Sequence, residues 1–307
     1  MTYPTLSIVT PSYNQGQFLE ETIQSVLRQN YPNLEYMIMD GGSTDQSVNI
    51  IEKYEGQLAY WVSEKDRGQS HAINKGLARA TGEWLGWLNS DDWYQPGALN
   101  ALIETAVEQD AAFVVGASLR MVEGKPGQTT RMQPLSQAVE PHTVLLGHWF
   151  DQPACLFKRQ LFEEYGPFDE TLHYTFDWAF FRKALQTARA AISEQTIAVY
   201  RLHEAHKTGT GGLKRDQELI RIYRENLPDA DLNALKRAEA YLPLVWKIRL
   251  LRRKYGHHRA AERLFQVALS MLRRAAVDRK PRLHPYMAFM LGLPHRPVEM
   301  PFKVSRE

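Results

Sequence analysis

The sequence predicts an α/β fold in which a mostly parallel, mixed sheet is flanked by helices and followed by a helical C-terminal extension. Over the first hundred residues, short apolar runs alternate with amphipathic segments. This alternation is typical of parallel strands joined by crossover helices. The 307 residues, of which 44% are hydrophobic, are enough to bury one substantial core. From about residue 214 the pattern becomes helical and basic, which indicates the extension.

Four strand and helix pairs account for the first hundred residues. The predicted strands are LSIVT, LEYMIMD, LAYWVS and EWLGWLN. The helices that follow them are FLEETIQSVLRQ, QSVNIIEKY, SHAINKGLARA and GALNALIETAVEQ. Each strand ends in polar turn residues, namely TPSYN, DGGSTD, SEKDRGQ and NSDD. Because parallel α/β sheets bind ligands at the carboxyl ends of their strands, these four turns form the predicted binding edge.

The region after residue 110 is harder to interpret. Two further strands are predicted at AAFVVGASLRMV and AISEQTIAVYRLH, a hairpin turn at GKPGQ, and a helix with an acidic first turn at FDWAFFRKALQTA. Five prolines within 21 residues prevent a helix after Pro281. We therefore expect a domain at 1–213 with halves 1–110 and 111–213, a basic helical extension at 214–280, and a proline-rich tail at 281–307.

Charge is distributed unevenly along the chain. Residues 241–307 contain 15 Lys and Arg against 4 Asp and Glu, a net charge of +11, which leaves −9 for residues 1–240. The basic segment LVWKIRLLRRK could rest on an anionic membrane surface, or pack its apolar face on the domain with its arginines in water. No nucleic-acid-binding motif accompanies this charge, so nucleic acid is not an expected partner.

Several classes of protein are excluded by what the sequence lacks. No run approaches the roughly 18 apolar residues of a membrane span, and the first residues do not have the pattern of a secretory signal, so a cytoplasmic location is expected. Cys155 is the single cysteine, which excludes an internal disulfide. The first turn, TPSYNQGQ, does not contain the G-x-G-x-x-G fingerprint of a dinucleotide oxidoreductase.

Two adjacent carboxylates, Asp91 and Asp92, follow the apolar strand EWLGWLN. Burial raises the pKa of such a pair unless a cation balances its charge. Mg²⁺ and Mn²⁺ bind a few carboxylate oxygens together with substrate phosphates and water. The alternative is a turn in which both carboxylates cap the next helix. From these residues alone, a metal and diphosphate site and a capped turn both stay open.

The segments VTPSYNQGQFLEETIQSVLRQNYPNLEYMIMDGGSTDQSV and DRGQSHAINKGLARATGEWLGWLNSDDW together resemble the family 2 glycosyltransferases, whose nucleotide-sugar domain has the GT-A fold. The resemblance implies inverting transfer of a sugar from a nucleoside diphosphate donor, with UDP as the expected nucleotide. It further implies Mn²⁺ or Mg²⁺ as cofactor. The acceptor would be a saccharide or lipid-linked saccharide in the synthesis of surface or secreted polysaccharide. The alternative function is a catalytically inactive nucleotide-binding regulator of the same fold.

The resemblance also implies roles for individual residues of the first half. They are Thr10 and Tyr13 beside the base, Asp40 accepting a hydrogen bond from the base, Asp66 at the ribose or base, Asp91 at the ribose, and Asp92 on the metal. The chain departs from the family pattern at Met39, which replaces the first acid of an acid pair. Asp45 is expected to cap the following helix instead of binding a ligand.

In the second half, the resemblance implies a catalytic base and a further metal ligand. The family keeps an acid at the start of the helix FDWAFFRKAL, which makes Asp177 the candidate base, although Phe176 replaces the acid that usually precedes it. Asp169 and Glu170 are the reserve candidates. His203 of YRLHEAHKT is the candidate histidine ligand, because a neutral imidazole can complete a site with few carboxylates, and His206 is its alternative.

Overall fold

The computed structural model describes residues 3–125, 128–134, 150–204 and 206–225, together with residues 239, 243, 246, 247, 250 and 251. The chain divides into two compact units, Met1–Thr210 and Gly211–Glu307. Most of the predicted basic extension and all of the proline-rich tail lie outside the described residues. The predicted domain boundaries and the membrane contact of the basic helices therefore stay predictions.

The nine strands of the described residues form one sheet. Their bounds are β1 Leu6–Ser12, β2 Leu34–Asp40, β3 Tyr60–Ser63, β4 Trp84–Trp87, β5 Trp93–Tyr94, β6 Phe113–Val122, β7 Thr129–Met132, β8 Cys155–Lys158 and β9 Ala190–Leu202. The strand order is β3-β2-β1-β4-β8-β6-β9-β5, with β7 paired to β6. The first four strands in this order are parallel, β6 and β9 are parallel, and β8 and β5 run antiparallel to their partners. The predicted mostly parallel, mixed sheet is confirmed.

Helices follow the strands as the sequence pattern predicts. Their bounds are α1 Gly16–Leu27, α2 Ser47–Tyr54, α3 Gln69–Arg79, α4 Ala98–Glu108, α5 Arg159–Tyr165, α6 Phe176–Ala184, α7 Lys207–Thr210 and α8 Gly212–Arg224. Short 3₁₀ turns occupy Glu55–Gln57 and Gln152–Ala154. None of the helices in the described part of the chain is both long and apolar enough to cross a membrane.

The core forms where the central strands meet the apolar faces of the helices. All seven residues of β1 are buried, as are the last five of β2. Each aliphatic side chain that is removed from water here stabilises the fold by about 1.5–3 kcal/mol. Helix α3 lies close against β1. A Cβ added at Gly76 would come within 2.5 Å of the Val9 side chain. Only glycine fits there, which fixes the position of α3 on the sheet.

The elements that were not predicted include β5 in the first half and β8, α5 and α7 in the second half. Strand β5 has only two residues, too few to show an alternating pattern, and it is held by β9 through the pair Trp93 and Val199. The predicted hairpin at GKPGQ is confirmed, since β6 and β7 pair antiparallel from Ser118 with Met132 to Met121 with Thr129.

The second unit begins with α8. Within this unit, Trp246 Nε1 donates a hydrogen bond of 2.9 Å to Asp216 Oδ2, and Arg224 forms an ion pair with Glu239. These contacts join α8 to residues about fifteen to thirty positions further along the chain.

Candidate active site

The turn after β4 carries the two adjacent carboxylates, and Asp92 lies on its inner side. Asp92 is fully buried, and its Oδ1 accepts the backbone N–H of Arg201 at 2.9 Å. Its Oδ2 lies 3.3 Å from the amide nitrogen of Asn89. Burial, followed by the charge of Asp91, raises the pKa of Asp92 well above its ordinary value. Asp92 therefore organises the turn from within the protein.

Asp91 is the first carboxylate of the same turn, and its side chain contacts His203. Its Oδ2 lies 2.9 Å from His203 Nε2, although 112 residues separate the two in sequence. The Asp91 side chain is 18% exposed and that of His203 is 8% exposed. His206 Nδ1 contacts the backbone carbonyl of His203. The structure thus pairs the histidine of the YRLH segment with the first carboxylate of the turn.

Arg201 was missed by the sequence analysis, which considered YRLH only for its histidine. Its Nε donates to the carbonyl oxygen of Asp91 at 3.0 Å, and its side chain is only 7% exposed. The guanidinium forms ion pairs with two carboxylates and stacks on two aromatic rings, namely Glu21, Glu123, Phe18 and Trp93. These partners come from α1, from the end of β6 and from β5, so Arg201 ties the acidic turn to three separate elements.

Helix α1 also holds the turn, through Thr22. The buried Thr22 hydroxyl contacts two carbonyl oxygens, that of Ser90 at 3.0 Å and that of Asp92 at 2.7 Å. Because these two carbonyls flank Asp91, the backbone on both sides of this residue is held in place.

Asp40 lies at the end of β2, buried within its own turn. Its Oδ2 accepts hydrogen bonds from Gly42 N at 3.1 Å, Ser43 N at 2.8 Å and Ser63 Oγ at 2.7 Å. The Ser43 hydroxyl donates to Oδ1 at 2.5 Å. All of these donors belong to the turn after β2 or to the end of β3. The Asp40 carboxylate is therefore occupied in shaping this loop. Its predicted contact with a base stays a prediction.

Asp66 follows β3 and lies beside the loop that Asp40 shapes. Its Oδ1 accepts the N–H of Gly68 at 2.7 Å. Its Oδ2 faces Gly41, where an added Cβ would come within 2.7 Å of that oxygen. Among the described residues no donor binds Oδ2, so this oxygen can accept a hydrogen bond from a ligand.

Three residues at the end of β1 differ in exposure. Thr10 is fully buried with its hydroxyl 3.0 Å from the Tyr36 hydroxyl, whereas Tyr13 is 61% exposed. Ser12 lies in register with Asp40 and is 3% exposed. Its Oγ has no hydrogen-bond partner among the described residues. Since buried polar atoms are almost always paired, this hydroxyl is available to a water molecule or a ligand at this edge of the sheet.

Asp177 lies in the first turn of α6, where the sequence placed the base. Its Oδ1 accepts the N–H of Trp178 at 2.7 Å, and the side chain is partly buried. Burial, followed by the charge of Asp177, raises the pKa of the Cys155 thiol. The ring centroid of Phe176, the residue before Asp177, lies 6.4 Å from that of Trp87, the last residue of β4. In the 3₁₀ turn that precedes β8, Gln152 donates to the carbonyl of Trp87 at 2.8 Å. The start of α6 therefore lies close to the end of β4.

The two reserve candidates are engaged in structural contacts. Glu170 forms an ion pair of 2.8 Å with Arg67 and accepts a hydrogen bond from Asn74. Burial raises the pKa of Glu170, but the hydrogen bonds from Arg67 and Asn74 outweigh it and lower the pKa below its usual value. Asp169 Oδ1 accepts both the N–H and the hydroxyl of Thr171. Both reserve candidates therefore have structural partners, and the choice of Asp177 as base stays a prediction.

The residues present fit a divalent cation that binds together with a substrate. Within the described residues, no three or more His, Cys, Asp and Glu side chains are grouped so that they could hold a metal ion by themselves. Asp91 and His203 offer one carboxylate oxygen and one imidazole nitrogen. Mn²⁺ and Mg²⁺ sites often use few protein ligands and are completed by phosphate oxygens and water. The acidic turn is compatible with such a site.

Comparison with known proteins relates these features to other chains. The family model described as "Glycosyl transferase family 2" matches residues 7–184. An uncharacterized glycosyltransferase of Rickettsia typhi is 30% identical over 220 residues, which cover 67% of each chain.

Two solved structures have the same fold. S. aureus TarS in complex with UDP aligns with a TM-score of 0.57 at 20% identity, covering 77% of this chain and 70% of that chain. The mannosyltransferase PcManGT from Pyrobaculum calidifontis, in complex with GDP-Man and Mn²⁺, aligns with a TM-score of 0.57 at 21% identity, covering 95% and 86%. At these identities the likeness concerns the fold, and it confirms the predicted GT-A architecture.

Proposed function

Because this chain belongs to glycosyl transferase family 2, we propose that it transfers a sugar from a nucleoside diphosphate donor to a hydroxyl of a saccharide or lipid-linked saccharide. The expected donor is a UDP-sugar. We assign the reaction to the synthesis of surface or secreted polysaccharide. One observation carries this proposal: Asp91 contacts His203 after the end of β4, and the start of α6, which carries Asp177, lies close to the same strand end. Structural neighbours solved with UDP, UDP-GlcNAc or GDP-Man support the donor class.

The nucleoside would bind at the ends of β1, β2 and β3. We propose that the exposed ring of Tyr13 stacks on the base, and that Asp66 Oδ2 and Ser12 Oγ bind polar atoms of the base or ribose. Asp40 and Thr10 would act indirectly, because Asp40 shapes the loop and Thr10 is packed inside the sheet.

We propose that Asp91 and His203 hold the divalent cation, with Asp92 supporting the turn from behind. This assignment differs from the sequence prediction, which gave the metal to Asp92. The side chains of Asp91 and His203 are 18% and 8% exposed, whereas Asp92 is fully buried with its two oxygens directed at Arg201 and Asn89. When bound, the ion would offset the negative charge of the departing diphosphate.

Asp177 would act as the general base. The acceptor oxygen forms a bond to the anomeric carbon while the bond to the diphosphate oxygen breaks, and the acceptor proton passes to the Asp177 carboxylate. A single displacement of this kind inverts the anomeric configuration. The hydrogen bond from Trp178 N–H to Oδ1 helps to orient the carboxylate that would take the proton.

A calorimetric panel of UDP, GDP, dTDP and CMP, each with and without Mn²⁺, tests this function. We expect wild-type protein to bind one nucleoside diphosphate selectively, and more tightly with Mn²⁺. Asp91→Asn should weaken the metal-dependent binding about tenfold, or 1.4 kcal/mol. Asp110→Asn is the matched control, since Asp110 is 91% exposed and forms a surface ion pair with Arg189. Absence of nucleotide binding by the wild type would exclude the proposed donor site.

The same panel decides between the two carboxylates of the turn. The amide introduced by Asp92→Asn resembles the neutral form of a buried carboxyl group. We therefore expect Mn²⁺ to enhance nucleotide binding in this variant as much as in the wild type. If the enhancement disappears in Asp92→Asn and persists in Asp91→Asn, the metal belongs to Asp92.

A further inference from the structure

Asn74 joins helix α3 to the segment between α5 and α6. Its Nδ2 donates a hydrogen bond of 2.9 Å to the carbonyl oxygen of Phe168, and its Oδ1 accepts the Phe168 N–H, also at 2.9 Å. The two residues lie 94 positions apart in sequence, and both hydrogen bonds are buried. One amide side chain therefore pairs with both backbone groups of a single residue, which fixes the position and the orientation of the backbone at that point.

An aliphatic side chain could fill the same space, but it could not make these hydrogen bonds. The N–H and the carbonyl of Phe168 would then lose their partners in a buried place, which is unfavourable. The amide of Asn74 carries a donor and an acceptor on one planar group, as this pairing requires. The residue type at this position is thus explained by the backbone that it holds.

A second contact joins the same two segments. Arg67, in the loop after β3, forms an ion pair of 2.8 Å with Glu170. Glu170 Oε1 also lies 3.3 Å from Asn74 Nδ2. Arg67 is 68% exposed, so water and salt screen this ion pair and it contributes little. The buried hydrogen bonds of Asn74 are therefore the stronger of the two connections.

The ring of Phe168 packs against the first residue of α6. Its centroid lies 5.5 Å from that of Phe176, which directly precedes Asp177, and 5.0 Å from that of Trp87 at the end of β4. All three rings are buried. Because side chains in a packed interior have little room to move, a shift of Phe168 displaces Phe176 as well. Asn74 is thus connected, through Phe168, to the turn that carries Asp177.

We propose that Asn74 is a positioning residue, which holds the start of α6 so that the Asp177 carboxylate lies within reach of the acceptor proton. This inference rests on the proposed function, in which Asp177 is the base. Proton transfer requires the base at hydrogen-bond distance, and a displacement of about 1 Å lowers the rate by up to about 100-fold. Asn74 takes no part in the bond changes themselves, so its loss affects the rate of transfer and not the binding of the donor nucleotide.

The test compares Asn74→Leu and Asn74→Asp with the wild type. Asn74→Leu keeps the approximate size of the side chain and removes both hydrogen bonds. Asn74→Asp keeps an acceptor for the Phe168 N–H and loses the donor to the carbonyl. The matched control is Asn100→Leu, which removes a partly buried amide on α4 whose Oδ1 has no hydrogen-bond partner among the described residues.

Three quantities are measured for each variant. They are hydrogen–deuterium exchange over residues 168–177, calorimetric binding of UDP and GDP with Mn²⁺, and kcat for release of the nucleoside diphosphate from UDP- and GDP-sugars. We expect Asn74→Leu to exchange faster over 168–177 and to lose about 100-fold in kcat, with nucleotide affinity within about twofold of the wild type. Asn74→Asp should lose about tenfold in kcat. Asn100→Leu should match the wild type in all three measurements.

The outcomes separate this inference from the proposed function. If the wild type releases nucleotide and Asn74→Leu does so equally well, or if exchange over 168–177 is unchanged, the positioning role is overturned while the proposed function stands. Equal losses in nucleotide affinity and kcat would make Asn74 a structural residue only. If the wild type binds no nucleotide, both proposals fail. Circular dichroism checks folding, and Asn74→Asp supplies the same comparison should Asn74→Leu not fold.

Discussion

The turns of Asp40 and Asp66 in the first half of the first unit and the contacts of Asp151 and Arg201 in the second half are organised in different ways. Asp40 and Asp66 accept backbone N–H groups two or three positions away, within their own turns. Asp151 binds Arg120 at 2.6 Å across 31 positions, and Arg201 reaches Glu21 across 180. The two turns form between neighbours in sequence, whereas the contacts of Asp151 and Arg201 form only once the sheet is complete.

This difference predicts how each half responds to mutation. A local turn orders few residues and costs little chain entropy, so its loss disturbs little else. A contact between distant segments exists only after those segments are brought together, which costs more entropy. Removal of such a contact should therefore affect both the site and the stability of the fold.

The largest effect is expected from Asp177→Asn. This change removes the proton acceptor of the second half and keeps the size of the side chain. We expect kcat to fall about 10²- to 10⁴-fold, with unchanged calorimetric binding of the nucleoside diphosphate. Asp169→Asn serves as the control, because its carboxylate is engaged by Thr171. A normal kcat in Asp177→Asn would move the base to another residue, and Glu170→Gln would then be measured next.

Arg201→Met tests the long-range contacts, and we expect a loss of about 3 kcal/mol in the free energy of unfolding, measured in urea. This loss of stability lies at the low end of the range for a broken buried ion pair. The Glu21 and Glu123 side chains are 55% and 44% exposed, so both carboxylates can be hydrated in the variant. Since Asp91 loses a backbone contact, Mn²⁺-dependent nucleotide binding should weaken as well.

Two further variants serve as controls for Arg201. Arg189→Met should change stability by less than about 0.5 kcal/mol, because Arg189 is 69% exposed. Arg201→Lys should keep part of the stability and part of the metal-dependent binding. If Arg201→Met loses stability while the metal-dependent binding is unaltered, Arg201 does not position the acidic turn.

The smallest effect is expected from Asp45→Ala, in the turn between β2 and α2. Asp45 accepts the N–H of Gly16 and the N–H of Ser47, the first residues of α1 and α2. Loss of such a capping contact costs about 1 kcal/mol. Burial raises the pKa of Asp45, but hydrogen bonds from Ser47 and Gly16 outweigh it and lower the pKa.

The pH dependence of this contribution follows from the direction of the shift. A carboxyl group with a lowered pKa in the folded state stabilises the protein above its unfolded pKa of about 3.9, and this contribution is lost as pH falls through the folded value. Urea unfolding of wild type and Asp45→Ala should differ at pH 7 and converge toward pH 3. A difference that is equal at both pH values would contradict the capping role.

The sequence predicted the first half well because its information is local. Alternating apolar runs specified β1 to β4 and their helices, and the polar turns marked the edge where Asp66 and Asp91 lie. Asp40 shows the limit of this information, since its place in the motif did not reveal that its carboxylate is occupied by Gly42, Ser43 and Ser63.

The sequence by itself determined the alternating fold, the binding edge, the acidic turn, and the candidates Asp177 and His203. Only the tertiary structure decided that His203 contacts Asp91, that Asp92 is buried, and that Arg201 contacts the acidic turn. The physical reason is that periodicity and turn chemistry act between neighbours in sequence. Which side chains converge depends on the strand order of the sheet, which places β9 beside a turn formed more than a hundred residues earlier.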